Sequence, residues 1–271
     1  MTVVLEKVTL TTPLGVRFWD FVTNRPIADA LEAWLYQADR PKQRSYGLFN
    51  RAAVCVFQNV PGLRGFERAV GDDDPWSVVM PKPWVLEVHD AERRFLPCRF
   101  QLAVPHQGLD HQASLLVGSP PSDMPALPPN SIPLFSAPQR SVGNDMAIVR
   151  AELHDQVLNQ PAAWAFVTLH HKQQIVSYGM TDQRGRLTLL FAYPEVNQSV
   201  LGSPPTSRKR ALSEQTWELT VTVRYGAITP PPTVPTWHDV MQQPPATLVS
   251  GSSCTLAFGQ ELNLKIRTIQ L

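Results

Sequence analysis

The sequence predicts an all-β protein: two tandem β-sandwich domains joined by a Pro-rich linker. Three observations carry this. One short pattern, an aspartate, three residues, an asparagine, one residue and a proline, occurs twice, as Asp20, Asn24 and Pro26 and again as Asp155, Asn159 and Pro161. Period-2 alternation of apolar and polar residues dominates the readable segments, whereas helical periodicity nowhere persists beyond about two turns. The 26 prolines concentrate in a few stretches, which read as loops.

Each copy of the repeat is preceded by an alternating segment, Gly15 to Trp19 and Ile148 to Leu153, and followed by another, Ala30 to Tyr36 and Ala165 to Leu169, as in a strand, a turn and a strand. The turn accounts for the letters. Asp and Asn side chains cap their own backbone and tolerate left-handed φ, and Pro presets φ where the chain re-enters a strand. The parallel continues: Ala30 and Ala165 both lie ten residues past the aspartate, and apolar strands ending near proline follow, Val54 to Phe57 before Pro61 and Leu187 to Phe191 before Pro194. Val85 to His89 and Phe95 to Val104 complete the first module; Thr216 to Arg224 and Leu262 to Ile269 alternate as half-buried antiparallel strands in the second. The expected division is residues 1–112 for the first sandwich, 113–143 for the Pro-rich linker and 144–271 for the second sandwich, with long insertions at 197–213 and 228–247. Loops of that length without structure of their own generally bind something.

Composition narrows the function. At 271 residues the chain exceeds one average domain, and 43% hydrophobic content supports real cores. With 24 basic against 23 acidic residues, nothing steers it toward nucleic acid or an anionic membrane. The segment Met1 to Lys7 alternates and carries charge where a signal peptide needs an unbroken apolar run, so the expected location is the cytoplasm, without membrane insertion. Cys55, Cys98 and Cys254 lie in apolar strand-like segments and read as reduced buried thiols, with Cys55 and Cys98 the pair a disulfide would use.

The seven histidines, His89, His106, His111, His154, His170, His171 and His238, form no metal-ligand spacing, and His170 and His171 point to opposite faces of a strand. Asp72-Asp73-Asp74 lacks the spaced donors and closing Glu of a calcium loop. No Gly-x-Ser-x-Gly elbow or phosphate loop is present, and Ser250 to Cys254 reads as a turn. No catalytic, cofactor or metal residue is therefore assigned, and Asp20 and Asp155 are assigned to turn geometry. The aromatics are the remaining candidates. Trp19, Trp34 and Trp164 lie on repeat strands and read first as core, whereas Trp76, Trp84 and Trp237, together with Leu134 and Phe135, sit in or beside Pro-rich stretches and are the expected interface anchors. Loop tryptophans would equally serve a carbohydrate platform.

The segments DFVTNRPIADALEAWLY with VCVFQNVPGL, and DQVLNQPAAWAFVTL with GMTDQRGRLTLLFAYP, resemble the carboxypeptidase-regulatory-like and transthyretin-like β-sandwich modules, in which a D-x-x-T/N-G-x-P turn is followed by G-x-x-x-F and a proline turn. Arg25 and Gln160 stand where those modules usually carry glycine, and Ala53 stands where one is expected before Val54. The resemblance implies fold and says little about function. Related enzymes do not fit: transthyretin-like hydroxyisourate hydrolases end in Tyr-Arg-Gly-Ser where this chain has Thr268-Ile269-Gln270-Leu271, and intradiol dioxygenases need tyrosines and a His-x-His for iron. A second resemblance, to tandem-module proteins encoded with contractile phage-tail-like injection particles, rests on Val16 to Asp20, Val56 to Leu63 with Phe66-Glu67, Pro133 to Arg140, and Asp182 to Arg186 before Leu189-Leu190-Phe191. It implies a non-enzymatic adaptor at the cap or tail end, with sheath, tube or cap proteins and other copies of itself as partners, in a particle that is assembled in the cytoplasm. The alternative is a module that binds carbohydrate or a cell-surface ligand.

Overall fold

The computed structural model describes residues 12–67, 82–105, 116, 126–143, 145–194 and 215–269. The expected loop at 197–213, Asp72-Asp73-Asp74, Trp76, His106 and His111 lie outside the described residues. Among the described residues strands dominate and helix is nearly absent, and the all-β reading holds. None of its helices is long and apolar enough to cross a membrane.

In the first module, β1 (Gly15–Asp20) pairs antiparallel with β2 (Arg25–Ile27) and β6 (Val54–Val56), which in turn pairs with β5 (Leu48–Phe49). On its other side β1 takes β9 (Ser131–Leu134) as a parallel partner, with Asp20 opposite Leu134. A second sheet runs in the order β4 (Ser45–Tyr46), β3 (Leu31–Gln37), β7 (Lys82–Asp90), β8 (Cys98–Val104). Alternation along the strands sends Val16, Phe18, Ala33, Leu35, Leu86, Phe100, Leu102 and Ile132 into the core, each fully buried.

The second module repeats this plan. β10 (Met146–Asp155) pairs antiparallel with β11 (Gln160–Pro161) and β14 (Arg186–Ala192), and parallel with β18 (Glu261–Ile269), which carries β16 (Thr247–Ser250) at its edge. The opposing sheet runs β13 (Gln174–Met180), β12 (Phe166–His171), β15 (Thr216–Arg224), β17 (Ser253–Ala257). One core cluster draws Val149, Leu153, Leu187 and Ile266 from the first sheet and Val167, Leu169, Val221 and Leu256 from the second, which makes the module a sandwich.

The repeated turn is the same object twice. Asp20 is buried; its Oδ1 accepts a hydrogen bond from the Val22 N–H at 3.1 Å and its Oδ2 from the Thr23 hydroxyl at 2.7 Å. Asp155 is fully buried, and its Oδ1 accepts from the N–H groups of Val157 and Leu158 at 2.8 and 3.1 Å. Asn24 and Asn159 take left-handed φ of 50° and 49°, and Pro26 and Pro161 pair with Trp19 and His154 on the returning strand. Because Asn supplies the left-handed residue, Arg25 and Gln160 need not be glycine. A second shared turn follows. The Asn50 Oδ1 accepts from Ala52 and Val54 N–H groups, and the Asp182 Oδ1 accepts from those of Arg184 and Arg186. The left-handed positions within it are Ala53, φ 57°, and Gly185, φ 73°.

Two sequence-based expectations are corrected. Ser131–Leu134, assigned to the linker, is β9, the counterpart of β18, and each of its residues is buried. A four-residue partner strand carrying Pro133 has too little alternation to be read as a strand. The chain divides into two compact units, the first comprising Met1–Glu92, Pro97–Leu134 and Thr236–His238, the second Arg93–Leu96, Phe135–Pro235 and Asp239–Leu271. The stretch 228–247, expected as a long loop insertion without structure of its own, contains the short helix α1 (Trp237–Met241) and buries Val234, Trp237, Val240, Met241 and Gln243.

Candidate functional site: an ionic and aromatic strip on the first module

The expected interface anchors do not form a surface. Leu134 and Phe135 are 4% and 2% exposed, Trp84 3% and Trp237 2%. Leu134 lies on β9 opposite Asp20; within the second unit the Phe135 ring meets Phe166 edge-on at 6.1 Å, and within the first the Trp237 ring lies 6.0 Å from Phe100. Large apolar side chains in proline-rich sequence found a core to enter, which linear spacing cannot display. Trp164, read as core, is buried at φ 60°, and its indole N–H donates to the Pro232 carbonyl at 2.8 Å.

What sequence reasoning missed is the outward face of the sheet β4-β3-β7-β8. Alternation that points Ala33 and Leu35 inward points Glu32, Trp34 and Tyr36 outward; on β7 it does the same for Val85, Glu87 and His89, and on β8 for Arg99 and Gln101. Glu87 stands between Trp34 and Arg99 in register. Its carboxylate is 6% exposed and is held on both oxygens: Oε2 accepts from the Tyr36 hydroxyl and the Arg99 Nε, both at 2.9 Å, while Oε1 lies 3.0 Å from the His89 Nε2 and 3.6 Å from the Arg44 guanidinium. Burial by itself would raise the Glu87 pKa. The hydrogen bonds from His89, Arg99 and Tyr36, with the charge of Arg99, outweigh it and hold the carboxyl at about 2. The same neighbourhood acts on Tyr36, whose pKa is raised by burial first and by the bond to Glu87 second.

Aromatic rings frame this network. Trp34 meets Tyr46 edge-on at 6.1 Å and His89 at 5.3 Å, and the Arg44 guanidinium lies 4.9 Å above the Tyr36 ring. Tyr46 is 51% exposed. The residues come from four separate stretches, so no local motif announced them; the only sequence signal was a charged residue, Glu87, inside the apolar run Trp84 to Val88. The network consists of donors around one saturated acceptor, and no group of three His, Cys, Asp or Glu among the described residues has metal-binding geometry.

On the second module a depression of about 480 Å³ lies over β10, β14 and β18 and is lined by Arg150, Glu152, Arg186 and Lys265 among others. Its arginines are committed elsewhere: Arg150 binds Glu261, Thr188 and the Pro138 carbonyl, and Arg186 binds Asp182. The thiols offer no nucleophile. Burial pushes Cys55 and Cys98 up to about 12 and raises Cys254, all three are free, and a thiolate is correspondingly scarce near neutrality.

No family model matches the chain, and no curated protein does. Among solved structures it is similar to the Klebsiella pneumoniae 5-hydroxyisourate hydrolase, at 13% identity and a TM-score of 0.24 over 45% of this chain and 90% of that one. The shaft pilin SpaA from Lactobacillus rhamnosus GG shows 8% identity and a TM-score of 0.25 over 97% and 98% of the two chains. The Bacillus anthracis TIE protein shows 7% identity and a TM-score of 0.26 over 95% of this chain, which spans about a third of that protein, 34%. Likeness at this level carries no argument about this chain.

Proposed function

We propose that this chain is a non-enzymatic structural protein that acts through protein–protein contacts, as an adaptor at the cap or tail end of a contractile phage-tail-like particle. The observation that supports this most is how the reactive side chains are used. Asp20 and Asp155 close turns, Glu87 is held by three hydrogen bonds and an ion pair to Arg44, and Cys55 and Cys98 are buried thiols with raised pKa. Each is tied up within its own sandwich, which suits a structural part more than one that turns over substrate. The resemblance to particle-encoded tandem modules supplies the setting, with sheath, tube or cap proteins as the partners and assembly in the cytoplasm before release. The test is to delete the gene from a cell that makes the particle and to examine the particles by electron microscopy. Retention of the chain in purified particles, and ragged or uncapped tubes without it, are the expected results; intact particles that never contain the chain would refute the reading.

A second reading is a module that binds carbohydrate, and one observation favours it. The aromatic and charged side chains that sugar sites combine are brought together on the outward face of the first module, at Trp34, Tyr46, Arg44, His89 and Arg99.

A further inference from the structure

Resting on that second reading, we propose that the strip Trp34, Tyr46, Arg44, His89 and Arg99 binds an acidic polysaccharide, a polymer of sugars that carry carboxylates. The chemistry of the strip selects the ligand in two steps.

First, the strip is rich in donors and poor in acceptors. The Glu87 carboxylate is its central acceptor, and both oxygens are already taken by Tyr36, Arg99, His89 and Arg44. A neutral sugar offers hydroxyls, which need acceptors as well as donors, and this face has few to give; Glu32, exposed beside His89, stands at its margin. Arg99 spends its Nε on Glu87, while Arg44 spends its Nε on the Pro41 carbonyl and turns its Nη1 toward Glu87 at 3.6 Å. The two Nη groups of Arg99 form a planar fork suited to a carboxylate, and the Nη2 of Arg44 adds a further donor, on side chains 36% and 38% exposed. Glu87 and the marginal Glu32 balance the two guanidiniums in charge, so the strip selects a carboxylate through its uncommitted guanidinium N–H groups and not through net charge.

Second, the strip is the open face of a sheet, and it carries apolar rings. Tyr46 and the edge-on Trp34 offer surfaces on which the C–H face of a pyranose ring stacks. A polymer laid across β4, β3, β7 and β8 meets rings and guanidiniums in succession, so several weak contacts act together.

The experiment is affinity electrophoresis of the full chain through native gels containing polygalacturonate, hydroxyethylcellulose or poly-L-glutamate. Polygalacturonate is expected to retard the protein, less so as salt rises, and Tyr46→Ala and Arg44→Gln are each expected to weaken binding about tenfold. Tyr46 is 51% exposed, so Tyr46→Ala should leave thermal unfolding nearly unchanged, which separates lost binding from lost fold; Arg44→Gln also gives up its contacts to Glu87 and Tyr36, and its unfolding is measured beside its binding. Equal retardation by hydroxyethylcellulose would refute the acidic specificity and leave the sugar reading standing. Retardation by poly-L-glutamate as strong as by polygalacturonate would refute a saccharide ligand. Retardation by none of the three would overturn both the proposal and the reading beneath it.

Discussion

The two modules share one plan and differ most at a pair of equivalent positions on their four-stranded sheets. In the first, Glu87 on β7 receives the hydroxyl of Tyr36 from β3 and forms the centre of an ionic network. In the second, the corresponding place on β15 is Thr222, whose hydroxyl lies 3.1 Å from the His170 Nε2 on β12. The rest of that outward face is partly covered within its own unit: Phe135 packs on Phe166, which stacks on Tyr178, and Arg224 reaches the Met241 carbonyl. One face is thus built from charge and left open, the other from rings and partly closed. The teaching is that a repeated backbone leaves its outward residues at liberty to diverge, because the core does not depend on them.

The largest effect should come from breaking the network. Glu87→Ala leaves Arg99 and Tyr36 without their acceptor at a mostly buried position, and should destabilise the first module by about 3 kcal/mol. Thr222→Ala at the equivalent site should cost less than about 0.5 kcal/mol. Chemical denaturation, with hydrogen exchange to assign the loss to one module, compares the two; equal costs would erase the distinction between the faces.

The second shared turn gives the next contrast. Gly185 has φ 73°, and a Cβ there would collide with the Leu153 carbonyl oxygen and approach the Ala162 nitrogen to 3.2 Å, so Gly185→Ala should cost about 2 kcal/mol. Ala53 holds the same left-handed place, at φ 57°, with its Cβ accommodated. Ala53→Gly should therefore stabilise by about 0.5 kcal/mol, as removal of left-handed strain exceeds the added freedom of the unfolded chain. Thermal unfolding of the two variants should shift in opposite directions.

Acid sharpens the comparison. The Glu87 carboxyl lies at about 2 against an ordinary value of 4.5, so its folded pKa is depressed. Its contribution to stability is complete above pH 4.5 and is lost as pH falls from there through about 2. Glu87→Gln should flatten this part of the acid profile of the first module and leave the second unaltered; an unchanged profile would remove the network from the account. The smallest effect concerns reactivity: in native protein at neutral pH, iodoacetamide should modify the half-buried Cys254 slowly and leave Cys55 and Cys98 untouched until denaturant is added. Early labelling of Cys55 would contradict its burial.

Much of the fold was legible because turns are local. Asp20 with Asn24, and Asp155 with Asn159, satisfy their own neighbouring N–H groups, so the spacing of the letters is the structure of the turn. The equivalence of Asn50 with Asp182 was hidden, since either residue type accepts the same two N–H bonds. One detail of the repeat shifted: the left-handed residue entering the next strand is Ala30 in the first module but Trp164, one place before Ala165, in the second.

The sequence by itself determined the all-β class, the duplication, the repeated aspartate turns and the alternating strands, because each rests on hydrogen bonds or periodicity spanning a few residues. Only the tertiary structure decided where the aromatics went. Trp84, Trp237, Leu134 and Phe135 became core, Ser131–Leu134 became the parallel strand closing the first module, and Tyr36, Glu87, His89 and Arg99 met on one face. Burial and convergence are properties of contacts between residues distant in the chain, and a linear pattern carries the direction of a side chain but not the neighbour waiting for it.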